Sequence, residues 1–121
     1  MNIIVNKIDP LSNNVSRIYG DNDAIFDIHY ASLPCDIDDS IHVVLSTDDN
    51  VKCDYMMYGQ VYNISEHNIN ISCGGLLTKV SRTCMKEWKD YSINTKIYIA
   101  MSKSKRKRAT PNVSTTKRKI K

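Results

Sequence analysis

Glycine, proline, phenylalanine and tryptophan are scarce in this chain, and tyrosine supplies seven of its nine aromatic rings. Its 121 residues include four Gly, three Pro, one Phe and one Trp. Long apolar runs are missing as well. None approaches the ~20 residues of a membrane-spanning helix, so no membrane partner is expected. The opening run Met1–Pro10 lacks a charged start and a sufficiently long apolar stretch, so it is not expected to act as a secretory leader. The four cysteines, Cys35, Cys53, Cys73 and Cys84, form no Cys-x-x-Cys knuckle. With His29, His42 and His67 they give no tetrahedral zinc spacing. No metal or other cofactor is therefore expected, and the thiols are expected to be reduced and intracellular. No Gly-rich phosphate loop is present, and no small-molecule substrate is expected.

Acidic residues are absent from the last twenty positions. Residues 102–121 hold nine Lys or Arg and no acid. The other 101 residues hold eight bases against all 13 acids, a net charge of −5. The overall +4 is thus a property of the tail and not of the body. The composition divides the chain into a folded domain, 1–101, and a basic tail, 102–121. The tail has only Val113 and Ile120 as sizeable hydrophobes, too few to offset the entropy of ordering, so disorder is expected there.

What the body does have is alternation with period two. Ala24, Phe26, Ile28 and Tyr30 share one face, and Ile41, Val43 and Leu45 another. Ile69, Ile71 and Cys73 alternate with Asn68, Asn70 and Ser72. Ile93, Ile97, Ile99 and Met101 alternate with Asn94, Lys96 and Ala100. This is the pattern of half-buried antiparallel strands, and β-branched residues dominate it. Turn chemistry fills the gaps: Asp9–Asn14, Gly20–Asp23, Leu33–Ser40, Thr47–Asn50 and Ser65–His67. Only residues 82–92 suit a short helical turn. About eight short strands in ~100 residues predict an all-β fold, a small closed or nearly closed antiparallel barrel.

The run Tyr55–Ile64 departs from simple alternation. Met56, Tyr58, Gln60, Tyr62 and Ile64 form one row; Tyr55, Met57, Gly59, Val61 and Asn63 form the other. Both rows are largely apolar. A barrel has one inside, so one row should face a second layer of the domain or a partner protein, for which Met and Tyr are suited. Gly59 predicts a bulge or a close backbone approach. The segment Ser72–Val80 reads as a strand broken by Gly74-Gly75, which mark a close approach or a barrel corner.

Catalytic chemistry is thin. Cys73 and His67 flank one stretch, but the plain reading is a small buried thiol and a turn imidazole. The pairs Asp38-Asp39 and Asp48-Asp49 sit in turns, where Asp is ordinary. No catalytic residue is assigned, and the protein is not expected to be an enzyme.

Several blocks, in order over residues 3–103, carry a family resemblance. They are Val5-Asn6-Lys7-Ile8-Asp9-Pro10 with Val15-Ser16-Arg17-Ile18; Phe26-Asp27-Ile28-His29-Tyr30 with Leu33-Pro34-Cys35-Asp36; Asp39-Ser40-Ile41 with Val44-Leu45-Ser46-Thr47; Tyr55-x-Met57-Tyr58-Gly59-x-x-Tyr62; Gly74-Gly75-Leu76-Leu77; and Lys96-Ile97-Tyr98-Ile99-Ala100-Met101. Together they resemble the eighth-subunit (Rpb-eight) family, the small subunit common to nuclear DNA-directed RNA polymerases I, II and III. The resemblance implies an OB-like barrel and a non-catalytic structural subunit that docks on the largest polymerase subunit and supports assembly. It departs from the family in three places. The acidic loop before Tyr55 is short, an aromatic commonly found before the two glycines is replaced by Cys73, and the tail runs on past the usual end.

On this reading the partner-facing residues are Tyr55, Met57, Tyr58, Gly59, Gly74, Gly75 and Leu76. In the tail, Lys105, Arg106, Lys107, Arg108, Lys117, Arg118 and Lys119 suit a nuclear import signal or a non-specific nucleic-acid contact, which predicts a nuclear protein. The alternative is a free-standing OB-fold module that binds single-stranded nucleic acid by stacking on Tyr55, Tyr58 and Tyr62. The net charge of the body opposes it.

Overall fold

A computed structural model describes residues 1–12, 14–82 and 91–103. It contains eight strands: β1 (Asn2–Pro10), β2 (Val15–Gly20), β3 (Ile25–His29), β4 (Ser40–Ser46), β5 (Tyr55–Ile64), β6 (Asn68–Cys73), β7 (Leu76–Ser81) and β8 (Lys96–Lys103). One 3-10 turn, Tyr30–Ser32, follows β3. The strands close into a barrel in the order β1-β2-β3-β7-β6-β5-β8-β4, and every neighbouring pair is antiparallel. The all-β antiparallel barrel expected from the alternation is the one observed.

Alternation places the core. Ile3 and Val5 of β1, Ile18 of β2, Phe26 and Ile28 of β3, and Ile41 and Val43 of β4 point inward. So do Met57 and Val61 of β5, Ile69 and Ile71 of β6, Val80 of β7, and Ile97, Ile99 and Met101 of β8. The lone Phe is fully buried, as is each of these isoleucines to within 1%. Each such side chain contributes roughly 1.5–3 kcal/mol by leaving water. With few rings available, β-branched aliphatics fill this barrel. One polar group is left inside: the Thr78 hydroxyl is buried with no hydrogen-bond partner among the described residues.

Two local expectations are corrected. The segment Ser72–Val80 is two strands and not one interrupted strand. Gly74 (φ 61°) and Gly75 (φ 97°) form the two-residue turn between β6 and β7. Two consecutive positive φ angles are what a tight hairpin of the primed type requires, and glycine adopts them without strain. Nothing lies within 4 Å of a Cβ built on either glycine, so backbone conformation and not crowding selects them. The last strand begins at Lys96 and not at Ile93. Ser92–Thr95 is a turn, closed by Thr95 N–H donating to the Ser92 carbonyl (3.0 Å) and Ser92 N–H to Thr95 Oγ1 (2.9 Å). Asn94 takes φ 77° there, and Ile93 is left exposed. The short helical turn expected over 82–92 falls largely outside the described residues. So do the tail residues Lys105, Arg106, Lys107, Arg108, Lys117, Arg118 and Lys119.

Candidate docking surface

The two rows of β5 separate inside from outside. Met57, Gly59 and Val61 are buried. Tyr55, in the same row, is half-buried against the core, and its hydroxyl accepts the His29 N–H (3.1 Å). Burial raises its pKa, and the hydrogen bond from the His29 backbone works in the opposite sense. The other row looks out: Tyr58 is 52% and Tyr62 48% exposed, with Met56 and Ile64 half-buried.

The predicted partner-facing residues therefore divide. Tyr58 stands on the outer wall. Gly74 and Gly75 sit exposed at the β6–β7 turn, and Leu76 is half-buried against the core. Met57 and Gly59 face the interior, out of reach of anything docked on the outer wall. Gly59 has its own reason: a Cβ there would stand 2.5 Å from both Cys73 Sγ and the Ser72 carbonyl oxygen. It is a site of close approach between β5 and β6. The bulge lies further on, where the β5–β6 register shifts between Val61 and Asn63.

Register adds residues that alternation on one strand does not reveal. Tyr58 pairs with Tyr98 of β8, and their rings stack with centroids 4.5 Å apart and planes tilted by 41°. Met56 pairs with Ala100, which pairs in turn with Val44 of β4. An apolar band thus crosses three strands on the outward side of the barrel, with Met56 and Val44 half-buried and Ala100 between them buried. Tyr98 was recoverable in principle, since it alternates with the buried Ile97 and Ile99.

Beside this band lies a cleft of about 170 Å³ lined by Arg17, Ile25, Tyr62, Asn70, Leu77, Thr78 and Lys79. One wall is built on an ion pair. Arg17 Nε donates to Asp27 Oδ1 (2.7 Å), and a terminal guanidinium nitrogen donates to Oδ2 (3.0 Å). Asp27 Oδ2 also accepts the backbone N–H of Leu77 (3.0 Å). The Asp27 carboxylate is nearly fully buried, and its hydrogen bond holds the Arg17 pKa above its ordinary value.

No nucleophile–base pair is assembled from the residues weighed for catalysis. His67 precedes β6 and Cys73 ends it, so an extended strand separates them, and His67 is exposed. Burial pushes the Cys73 thiol up to about 11, which disfavours the thiolate.

Comparison with known proteins bears on part of this surface. Residues 46–103 match the model of the family described as RNA polymerase Rpb8. No curated protein matches the chain by sequence. Among solved structures, the cytoplasmic molybdate-binding protein ModG, in a crystal form with molybdate bound, is similar at 12% identity over 84% of this chain and 87% of that one. Its TM-score is 0.36.

Proposed function

Starting from the match of residues 46–103, which supports membership of the Rpb8 family, we propose that this chain is a non-catalytic structural subunit of nuclear DNA-directed RNA polymerases. It docks on the largest subunit and supports assembly for transcription. The family match suggests an RNA polymerase subunit, and it carries this reading. The matched segment contains β5 and β8, the strands that supply the outward Tyr58–Tyr98 pair.

The chemistry of such a role is burial. Tyr and Met are enriched where proteins meet, because they offer large apolar area with few rotatable bonds or an adaptable shape. The band from Val44 through Ala100 and Met56, with the Tyr58–Tyr98 pair beside it, is the part of the wall suited to a large apolar partner. The inward residues Met57 and Gly59 serve the interface by keeping β5 straight and packed. The basic tail, by its Lys105–Arg108 and Lys117–Lys119 clusters, serves nuclear import or a non-specific contact to nucleic acid.

Isolation of the tagged full-length chain from its own cells tests the reading. The large polymerase subunits are expected to come with it. A bait that recovers none of them overturns the proposal. Replacing Tyr58 and Tyr98 together with Ser is expected to lower recovery about tenfold without lowering the melting temperature by more than a few degrees, since both rings lie outside the core.

A further inference from the structure

The cleft beside the tyrosine band has a composition of its own. Its large apolar faces are Ile25, Tyr62 and Leu77, of which Tyr62 and Leu77 are 48% and 38% exposed. Tyr62 stands at the β5–β6 register shift and lines the cleft together with Leu77, Thr78 and Lys79 of β7. Two cations border the same space. Arg17 is neutralised by Asp27, whose carboxylate is buried against it. Lys79 has no ion-pair partner among the described residues. The cleft as a whole carries one uncompensated positive charge, in a body whose net charge is −5.

From this we infer that the cleft receives an acidic, apolar segment of a protein partner: one aromatic or branched side chain enters between Tyr62 and Leu77, and a neighbouring carboxylate pairs with Lys79. The inference deepens the docking proposal above and rests on it. An apolar cavity of about 150 Å³ admits a benzene ring, so a cleft of about 170 Å³ has room for one such side chain. Asn70 lines the cleft; its Nδ2 already donates to Asn63 Oδ1 (3.1 Å), which leaves its amide oxygen and its second N–H for the backbone of an extended segment. One charge suits one carboxylate. A polyphosphate chain would need several cations, and here Arg17 already spends its fork on Asp27 while the surrounding body repels phosphates. Aliphatic Ile25 and Leu77 also suit a protein side chain better than a stacked base.

The test uses the full-length tagged chain and three variants: Lys79→Glu, Tyr62→Ala and Lys79→Arg. None of the three lies in the core, and melting curves confirm that each folds. The readouts are recovery of the large polymerase subunits and affinity for a twenty-nucleotide oligothymidylate. Recovery is expected to fall about tenfold for Lys79→Glu and for Tyr62→Ala, to stay near wild type for Lys79→Arg, and to leave oligothymidylate binding unchanged. Wild-type recovery by both Lys79→Glu and Tyr62→Ala overturns the inference and leaves the docking proposal standing. Loss of oligothymidylate binding with unchanged recovery makes the cleft a nucleic-acid site and also overturns it. A wild-type bait that recovers no large subunit overturns both.

Discussion

Two seams of this barrel are built differently. Strands β5 and β8 share six register pairs, from Tyr55↔Met101 to Gln60↔Lys96. Strands β3 and β7 share two, Ile25↔Lys79 and Phe26↔Thr78. The short seam is continued by a side chain. Beyond Phe26 the Asp27 carboxylate takes the Leu77 N–H that a backbone carbonyl would otherwise accept, and Arg17 on β2 holds that carboxylate from the other side. The long seam spreads its strength over many equivalent bonds. The short one concentrates it in one buried anion, which ties three strands together at the edge of the cleft. A ring of strands is closed only if every seam is closed, so the weakest seam sets how easily the barrel opens.

The largest effect should therefore follow from Asp27. In Asp27→Ala the Leu77 N–H loses its acceptor and the Arg17 guanidinium loses its counter-charge in a partly buried place. The guanidinium left behind is 31% exposed and water screens part of its charge, so the loss is mainly that of the unsatisfied N–H and is about 2–3 kcal/mol. That is a large share of the ~5–15 kcal/mol that a domain has in total. A lower urea midpoint at unchanged m-value measures it. Asp27→Asn keeps an oxygen for the Leu77 N–H but not the charge, and about half the loss is expected. If Asp27→Ala costs less than about 1 kcal/mol, the short seam does not depend on this side chain. Amide exchange sharpens the comparison site by site, with Leu77 opening well before the β5 and β8 amides in the wild type.

Gly59 probes the neighbouring long-seam strand, where backbone and not side chain does the holding. The Cβ of Gly59→Ala meets the Ser72 carbonyl oxygen and Cys73 Sγ at 2.5 Å. The sulfur can swing away. The carbonyl belongs to β6, which is locked to β5 by Gln60↔Ser72 and Val61↔Ile71. Overpacking of this kind costs about 1–3 kcal/mol, and about 2 kcal/mol is expected here, read as a shift of the urea midpoint. Pairing Gly59→Ala with Cys73→Ala should return only part of the loss, because the carbonyl contact stays. Full recovery in the double variant would put the whole cost on the sulfur.

How much of this was legible beforehand follows from what alternation can report. Period two is local, so the inward rows Phe26–Ile28, Ile69–Ile71–Cys73 and Ile97–Ile99–Met101 can be read from neighbouring residues alone. Gly59 as a close approach is legible for the same reason, since a bare position in an apolar row asks for a neighbour. Pairing is not local. That β8 lies between β5 and β4, and so brings Tyr98 onto Tyr58, depends on a closure no single strand encodes. Arg17 and Asp27 sit directly opposite across the β2–β3 hairpin. Finding that pair needed the register that the Gly20–Asp23 turn imposes, and periodicity does not supply it. Gly74-Gly75 reads as a break in one strand because a weak strand interior and a tight turn both call for glycine; two in succession between β-forming runs is the mark of the turn. Ile93 misled because an exposed apolar residue in a turn is indistinguishable, by composition, from the first inward residue of a strand. The candidate surface is the least legible part. Its residues come from motifs that mix the two rows of β5, so Met57 and Gly59 are grouped with Tyr58, while Tyr62, read in one of the two apolar rows and in the family motif, is left off the partner-facing set and Lys79 is given no role.

The smallest effect expected is a pH dependence, and it too separates the two kinds of construction. Burial lifts the Cys73 thiol from 9.0 to about 11, and burial, helped by the Asp39 carboxylate, does the same for Cys35. In the unfolded chain both thiols lose their protons near 9.0, while in the barrel they keep them. Between pH 9 and 11 the unfolded state therefore binds fewer protons than the native state, and stability falls as pH rises through that window. The stabilisation is fully present below pH 9, so nothing of it shows near neutrality. Cys73→Ala removes one of the two groups. Its urea midpoint is expected to start slightly lower at pH 7, because the buried sulfur is gone, and then to decline less steeply than wild type from pH 9 to 11. Cys73 packs behind Gly59, and its neighbour Ser72 pairs with Leu77, whose N–H the Asp27 carboxylate accepts, so the flattening should be smaller in an Asp27→Asn background, where that corner of the barrel is looser. A slope left unchanged by Cys73→Ala would mean that this thiol ionises alike in the folded and unfolded chains, and that the interior behind Gly59 is wetter than its packing indicates.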